Sequence, residues 1–523
     1  MKRSTVLKVL MAAAIITLSL LSIACPGGGK SAGSSGRTNK ESLVVITGGS
    51  PAHLDPTLTN DSASSEIMKQ IYDTLFNQDF DTMSAIPSLA ERYAFENDAN
   101  GQPTRLRLFL KQGVKFHNGE ELKASDVKFS LDRAKASPTI GHIAGSLDTI
   151  EVINDYEVLV TLRFPFAPIL NNLAHTAMSI VNEKAVIAGG ETYTRNPVGT
   201  GPFKFVNWVA GNRIELTRWD QYHGNPVKIK DVTIRYITDP ATALLELETG
   251  GADIYFQLLN SPPDIERVAN NPDLTVLRRP GLSLNYIGFN FRKPPFNDVR
   301  VRQAISHAVD RQAILREVWK NIGSPGQGPL AQTVWASAAG QLNPQYDYNP
   351  EKARQLLAEA GYPNGFSTKL STNDTAIRID INTAIASMLR QVGIDAQVEI
   401  VEWASYLEMT NRGEHDMYTL GWVTITGDPD YGLEIFHSRA HGSPGNRSFY
   451  TNPEVDRLLD AARVETNPDR RYQMYIDAQK IIHEDTVWIY LQEGEYVVGT
   501  RSDVRGFNIN PAGHHPLWTV YFE

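Results

Sequence analysis

The sequence predicts an α/β protein divided into at least two lobes, and three observations carry that prediction. Short runs rich in β-branched and aromatic residues, several with period-two alternation, occupy the first half of the chain. Amphipathic helical patterns with marked starts occupy much of the second half. The roughly 500 residues that follow an N-terminal targeting segment exceed what one hydrophobic core usually serves.

That targeting segment comes first in the chain. MKRSTVLK supplies a basic start, VLMAAAIITLSLLSIA an apolar run, and Cys25, the only cysteine of the 523 residues, follows directly. The run is too short for a stable span of roughly 20 residues. Leu20-Leu21-Ser22-Ile23-Ala24-Cys25 resembles a bacterial lipobox, which implies cleavage after residue 24 and lipidation of Cys25. Residues 1–24 are therefore expected to be a signal peptide and 25–42 a lipidated cysteine with a flexible Gly/Ser tether. The tether contains Gly29-Lys30-Ser31-Ala32-Gly33, a formal Gly-x-Ser-x-Gly match, but a nucleophile elbow needs a strand before it and a helix after it.

Strand candidates then run in order: Leu43 to Thr47, Thr104 to Leu110 with clean alternation, Val158 to Leu162, Ile214 to Thr217 and Val232 to Tyr236. Tyr286-Ile287-Gly288-Phe289-Asn290-Phe291 reads as a buried strand where the composition turns from strand-rich to helix-rich, and the lobe boundary is expected there. Asp298 to Asn321 reads as one amphipathic helix, with Val301, Ile305 and Ile314 on one face. Asn349-Pro350-Glu351, Asn452-Pro453-Glu454 and Asn467-Pro468-Asp469 each set an N-cap before a first-turn proline and an acid. Val487 to Leu491 and Tyr496 to Gly499 are late strands, so the end of the chain is expected to rejoin the first lobe. The resulting division is lobe I over 43–285, completed by about 495–523, and lobe II over 286–494.

Charge and motifs exclude several functions. Loss of residues 1–24 takes the formal charge from −9 to −12, and an acidic body with no basic run argues against a nucleic-acid partner. A lone cysteine allows no internal disulfide and no cysteine-based zinc site. There is no His-Glu-x-x-His, no complete phosphate loop and no Gly-x-Gly-x-x-Gly after a strand. His437 and His441 have i, i+4 spacing but lie in a Gly/Ser/Pro-rich stretch, and adjacent His514 and His515 point apart, so no metal or cofactor is expected. Glu120 with Glu121, Glu246 with Glu248, and Asp428 with Asp430 are the acid pairs a secreted hydrolase would use, but no motif supports that use.

Binding has more support than catalysis. Glycine beside a large aromatic occurs in loops, as at Gly421-Trp422, near Trp335 and at Gly201-Pro202-Phe203. Such pairs let a ligand approach the backbone and offer it rigid apolar area.

Six motifs spread through the mature chain carry a resemblance. They are His53-Leu54-Asp55-Pro56; Val114-Lys115-Phe116-His117-Asn118-Gly119 with Lys123-Ala124-Ser125-Asp126-Val127; Pro197 to Phe203 (PVGTGPF); Phe296 to Ala304 (FNDVRVRQA); Lys352-Ala353-Arg354 through Gly361 to Phe366 (GYPNGF); and Gly421-Trp422. Together they resemble the extracellular solute-binding proteins of the peptide/nickel/oligopeptide family, the receptors of ABC importers. The resemblance implies a two-lobe periplasmic-binding-protein fold with a hinge and an enlarged first lobe carrying an extra subdomain at about 81–198. Ligand would be enclosed as the lobes close, and a monomer would deliver it to a permease in the cytoplasmic membrane.

The same resemblance implies a site. The segment before Leu-Asp-Pro, here Gly49-Ser50-Pro51-Ala52, would offer main chain at Ser50 and Ala52, and Arg378 would meet a peptide carboxylate bidentately. Gly421 and Trp422 would line the cleft. In dipeptide and oligopeptide binders an aspartate three residues after the tryptophan pairs with the ligand ammonium; that position is Ile425, which cannot neutralise a cation. Thr424, Thr426 and Gly427 offer hydroxyls and a backbone donor instead, as in glutathione-binding members. Asp428 either replaces the missing acid or caps the next helix. The expected function is capture of a peptide or peptide-like solute, with nickel chelate, haem, sugar or opine as alternative cargo of the same fold.

Overall fold

The computed structural model describes residues 40–523 apart from 60, 142, 258–261, 344–345 and 443–444. The expected signal peptide, Cys25 and most of the tether lie outside the described residues. Lys40–Glu523 forms one compact unit.

An 11-stranded mixed sheet runs through it. Ser42–Thr47 is buried and pairs in parallel with Asp231–Tyr236 and Ile254–Tyr255. Asp231–Tyr236 then pairs antiparallel with Arg213–Arg218, and that strand with Phe203–Val209. At the opposite edge, Phe366–Asn373 pairs in parallel with both Ile394–Val401 and Met417–Val423. Two long strands, Leu274–Phe289 and Trp488–Arg501, lie between these groups and pair antiparallel with each other.

Their ladder breaks between Pro280 and Leu284. Proline has no amide to donate, and a Cβ on Gly281 would lie 3.1 Å from the Tyr496 ring. Before the break, Leu274 to Pro280 face Arg501 to Glu495; after it, Leu284 to Gly288 face Glu493 to Trp488. The outer neighbours also differ across the break: Met417–Val423 joins the first strand from Ser283 onward, and the second pairs with Ile254–Tyr255 on one side of the break and with Ser324–Pro325 on the other.

A separate four-stranded sheet, in the order Ala90–Glu96, Arg105–Leu110, Glu157–Leu162, Leu147–Asn154, packs against the helix Ala124–Ala136. It has its own core of Leu106, Leu108, Val127, Leu131, Val158 and Val160. Leu43, Val45, Phe203, Ile234 and Val498 anchor a second core. Tyr286, Tyr418, Leu433 and Trp488, and Ile287, Ile305, Ile385 and Leu389, anchor two more.

The helix starts fall where the sequence puts them: Asn349, Asn452 and Asn467 each accept first-turn amides with the side chain. Two readings are corrected. Asp298 to Asn321 is two helices, Val299–Ala308 and Arg311–Glu317, because the Asp310 side chain accepts the Ala313 amide and starts a new helix. The second half also holds the strands Phe366–Asn373, Ile394–Val401 and Met417–Val423. The first is polar enough (FSTKLSTN) to hide its alternation, and ladder partners on both sides make it a strand.

Candidate functional site

Gly421 lies on Met417–Val423, opposite Asn285 of Leu274–Phe289. A Cβ there would meet Asn285 Oδ1 at 3.0 Å and Arg378 Nη2 at 3.1 Å. The missing side chain thus lets an amide and a guanidinium approach the strand backbone. Arg378 sits in the first turn of Ala376–Arg390, partly buried, and its Nη1 donates to the Thr419 carbonyl at 3.0 Å. The Tyr406 hydroxyl donates to the same carbonyl at 2.8 Å. Among the described residues no carboxylate pairs with Arg378, and desolvation holds its guanidinium below the usual arginine range. The group is therefore a charge with little water and no counter-ion.

Trp422 stacks on Tyr431 with ring centres 5.5 Å apart, and its indole nitrogen is buried without a partner among the described residues. Both rings line a cavity of about 340 Å³ together with Ile143, Phe164 and Phe166. Its polar wall is the Arg463 guanidinium, which donates to Asp430 at 2.9 Å and also pairs with Glu434. Burial pushes the Asp430 carboxyl up to about 6, against the pull of Arg463.

Ser50 and Ala52 are exposed at the end of Ser42–Thr47. The Ala52 amide already donates to Ser64 Oγ at 2.9 Å, so only its carbonyl is open.

The loop after Trp422 turns its polar groups onto the chain itself. The Thr424 amide donates to Leu282 O at 3.1 Å, the Gly427 amide to Thr424 O at 2.8 Å, and the Asp428 amide to Thr426 Oγ1 at 3.3 Å. Thr424 and Thr426 are buried. Gly427 has φ +72, and a Cβ there would strike Met83 Cβ at 2.5 Å, so glycine is needed twice over. Asp428 caps Pro429–Leu433 and takes both oxygens to Arg471, at 2.6 and 2.8 Å. The expectation that Asp428 is free to replace the missing acid is thus corrected to the capping alternative, the backbone donor expected at Gly427 is occupied, and the Thr426 hydroxyl oxygen is an acceptor within the loop. From the first half of the chain, Gln78 Nε2 donates to Ile425 O at 3.2 Å, and Asn171 Nδ2 to Thr426 O at 2.9 Å and to Met83 O at 3.1 Å.

Asn285, Tyr406, Asn171 and Gln78 were not legible as site residues. Asn285 is one polar position in an alternating strand, and the others owe their places to partners more than ten residues away. Elsewhere, His437 lies 3.3 Å from both Asp456 and Asp460, and His441 bonds Tyr450 O at 2.9 Å. Both histidines have protein partners.

Comparison with known proteins adds five findings. The family model of the bacterial extracellular solute-binding proteins, family 5 (middle region), matches residues 84–444. The glutathione-binding protein GsiB of Pectobacterium atrosepticum is 31% identical over 482 residues, covering 90% of this chain and 91% of that one. The dipeptide-binding protein of Escherichia coli is 28% identical over 515 residues, covering 92% and 95%. Among solved structures, the periplasmic binding protein DppA of Helicobacter pylori, in complex with the peptide STSA, superposes with a TM-score of 0.79 at 29% identity, over 92% of this chain and 98% of that one. HbpA2 of Haemophilus parasuis superposes with a TM-score of 0.81 at 30% identity, over 92% and 100%.

Proposed function

Because the chain belongs to the bacterial extracellular solute-binding proteins of family 5, and so works outside the cytoplasm, we propose that it is the receptor of an ABC importer for a peptide or peptide-like solute. Glutathione and short peptides are the first candidates, since the relatives named above bind them. The observation that carries the reading is Arg378, a partly desolvated guanidinium that has no counter-ion among the described residues, beside the bare backbone of Gly421. Such a group recognises a carboxylate through two parallel hydrogen bonds. Asn285 adds an amide to the same place, and Ser50 an exposed main chain.

In this proposal the two lobes pivot where the ladder between the long strands breaks, near Pro280 to Leu284 and Glu493 to Glu495. Lobe I is then 43–285 with 495–523, enlarged by the four-stranded subdomain within 81–198, and lobe II is 286–494. The contacts from Gln78 and Asn171 to the 425–426 carbonyls hold the lobes together, so Thr424, Thr426 and Gly427 act in closure. Cys25 is the lipid anchor, the receptor is a monomer, and it carries out no catalysis of its own.

Native mass spectrometry of the soluble chain beginning after Cys25, purified without refolding, tests the function. A retained mass matching a peptide or glutathione is the expected result. A retained sugar, opine, haem or metal chelate would replace the peptide reading by another cargo, and turnover of a bound solute would end the receptor reading.

A further inference from the structure

The helix Ser62–Ile71 carries an acid that the site above does not use. Glu66 is 9% exposed, and its Oε1 atom is buried with no hydrogen-bond partner among the described residues. One turn earlier on the same helix face, the Ala63 methyl lies 3.1 Å from where a Cβ on Gly49 would stand. Glu66 is therefore on the helix face packed behind the Gly49–Ala52 segment, next to the main chain assigned to the ligand. The phenol oxygen of Tyr236, on a neighbouring strand, is likewise buried and without a partner.

Burial first, and the Glu66 charge second, push the phenols of Tyr236 and Tyr496 up, so both lie within electrostatic reach of the carboxyl group. Tyr496 in turn lines a cavity of about 340 Å³ together with Asn285, Val423 and Gln492. Asn285 also flanks Gly421, as Arg378 does, so this cavity borders the Arg378 site.

Among the described residues no cation forms an ion pair with Glu66. Lys69 is bound to Asn77 Oδ1 at 2.8 Å, and the neutral Gln70 amide bonds Glu66 O and His515 O. His515, packed on Tyr496, is held neutral by burial, which lowers it to about 3. Left alone, the carboxyl group keeps its proton, because burial pushes it up to about 8. Ile425 and Asp428 provide no free acid on the other side.

We propose that Glu66 receives the cationic end of the ligand, an α-ammonium or a basic side chain, while Arg378 holds its carboxylate. The proposal rests on the peptide-receptor reading and narrows it to zwitterionic or basic peptide-like solutes. Entry of the cation converts the Glu66 carboxylic acid to a carboxylate, and the proton leaves to the solvent.

Isothermal titration of the soluble chain tests this with glutathione, Ala-Leu and N-acetyl-Ala-Leu. Each is measured in phosphate and in Bis-Tris, whose ionisation enthalpies differ, at a pH of about 6.5, below the α-amino range of roughly 7.7–8.0. The free-amine ligands should release about one proton per molecule bound, and the acetylated dipeptide none. Glu66→Gln should abolish the release and weaken the free-amine ligands at least ten-fold, leaving the acetylated dipeptide unchanged. Free-amine binding without proton release, or with undiminished affinity in Glu66→Gln, overturns the role of Glu66 and leaves the peptide receptor standing. Failure of all three to bind overturns the peptide reading as well. The proton count on the unaltered protein needs no variant to fold.

Discussion

A guanidinium that has lost much of its hydration and, among the described residues, donates to one carbonyl oxygen, as Arg378 does to Thr419, remains attractive to an anion. Hydrogen bonds to charged groups contribute roughly 1.5–3 kcal/mol. Arg378→Ala should therefore weaken binding of a carboxylate ligand by about 1.5 kcal/mol or more in titration calorimetry, and an unchanged affinity would take Arg378 out of the site. Gly421→Ala places a methyl 3.0 Å from Asn285 Oδ1 and 3.1 Å from Arg378 Nη2, closer than most such contacts. Ligand affinity should drop at least ten-fold while the melting temperature stays nearly constant; a large loss of melting temperature with unchanged affinity would contradict this placement. Arginine near 378 and Gly421-Trp422 were both legible as motifs, because each is a local string. Their meeting was not, since a helix and a strand some forty residues apart bring them together.

At the scale of elements, the turn Thr424 to Asp428 joins two parts of the chain. Asn171 bridges Met83 O and Thr426 O, and a neutral hydrogen bond contributes about 0.5–1.5 kcal/mol net. Asn171→Ala should shift the ligand-bound protein toward open forms, raising the ligand off-rate several-fold and enlarging the radius seen by small-angle scattering. An unchanged off-rate would remove the contact from closure. Behind the turn, Asp428 and Arg471 form a buried bidentate pair. Removing one partner of a buried pair leaves the other charge uncompensated, at a cost of about 3–5 kcal/mol, so Arg471→Ala should lower the urea midpoint strongly. The helix starts were legible because an asparagine N-cap followed by proline acts within a single turn. The strands Phe366–Asn373 and Met417–Val423 were not, because neighbours on both sides decide their state.

For the whole molecule, acid and base should each reduce stability, through different groups. Burial lowers His117 to about 4 and His415, His514 and His515 to about 3. Below the ordinary histidine value of roughly 6.5 the unfolded chain binds protons at these sites that the native chain does not, so stability falls as pH drops. Glu66 works in the other direction. Its native value of about 8 lies above 4.5, so the native chain holds the extra proton and stability declines as pH rises from 4.5 to 8. A pH series of melting temperatures should therefore peak between these limits, and the alkaline decline should be smaller in Glu66→Gln. A monotonic rise with pH through 8 would contradict the burial of Glu66 as an acid.

The sequence by itself determined the α/β class, the capped helices and the family resemblance, because each is written in residues adjacent along the chain: alternation, caps and short motifs. It also marked the loss of an acid at Ile425. Tertiary structure alone decided what stands in for that acid. Asp428, near in sequence, is held by Arg471, whereas Glu66, some 360 positions earlier, is left buried behind Gly49 with its Oε1 unpartnered among the described residues. Whether a carboxyl group is free or neutralised depends on which charges the fold brings within a few ångströms of it, and that distance is not encoded in spacing along the chain.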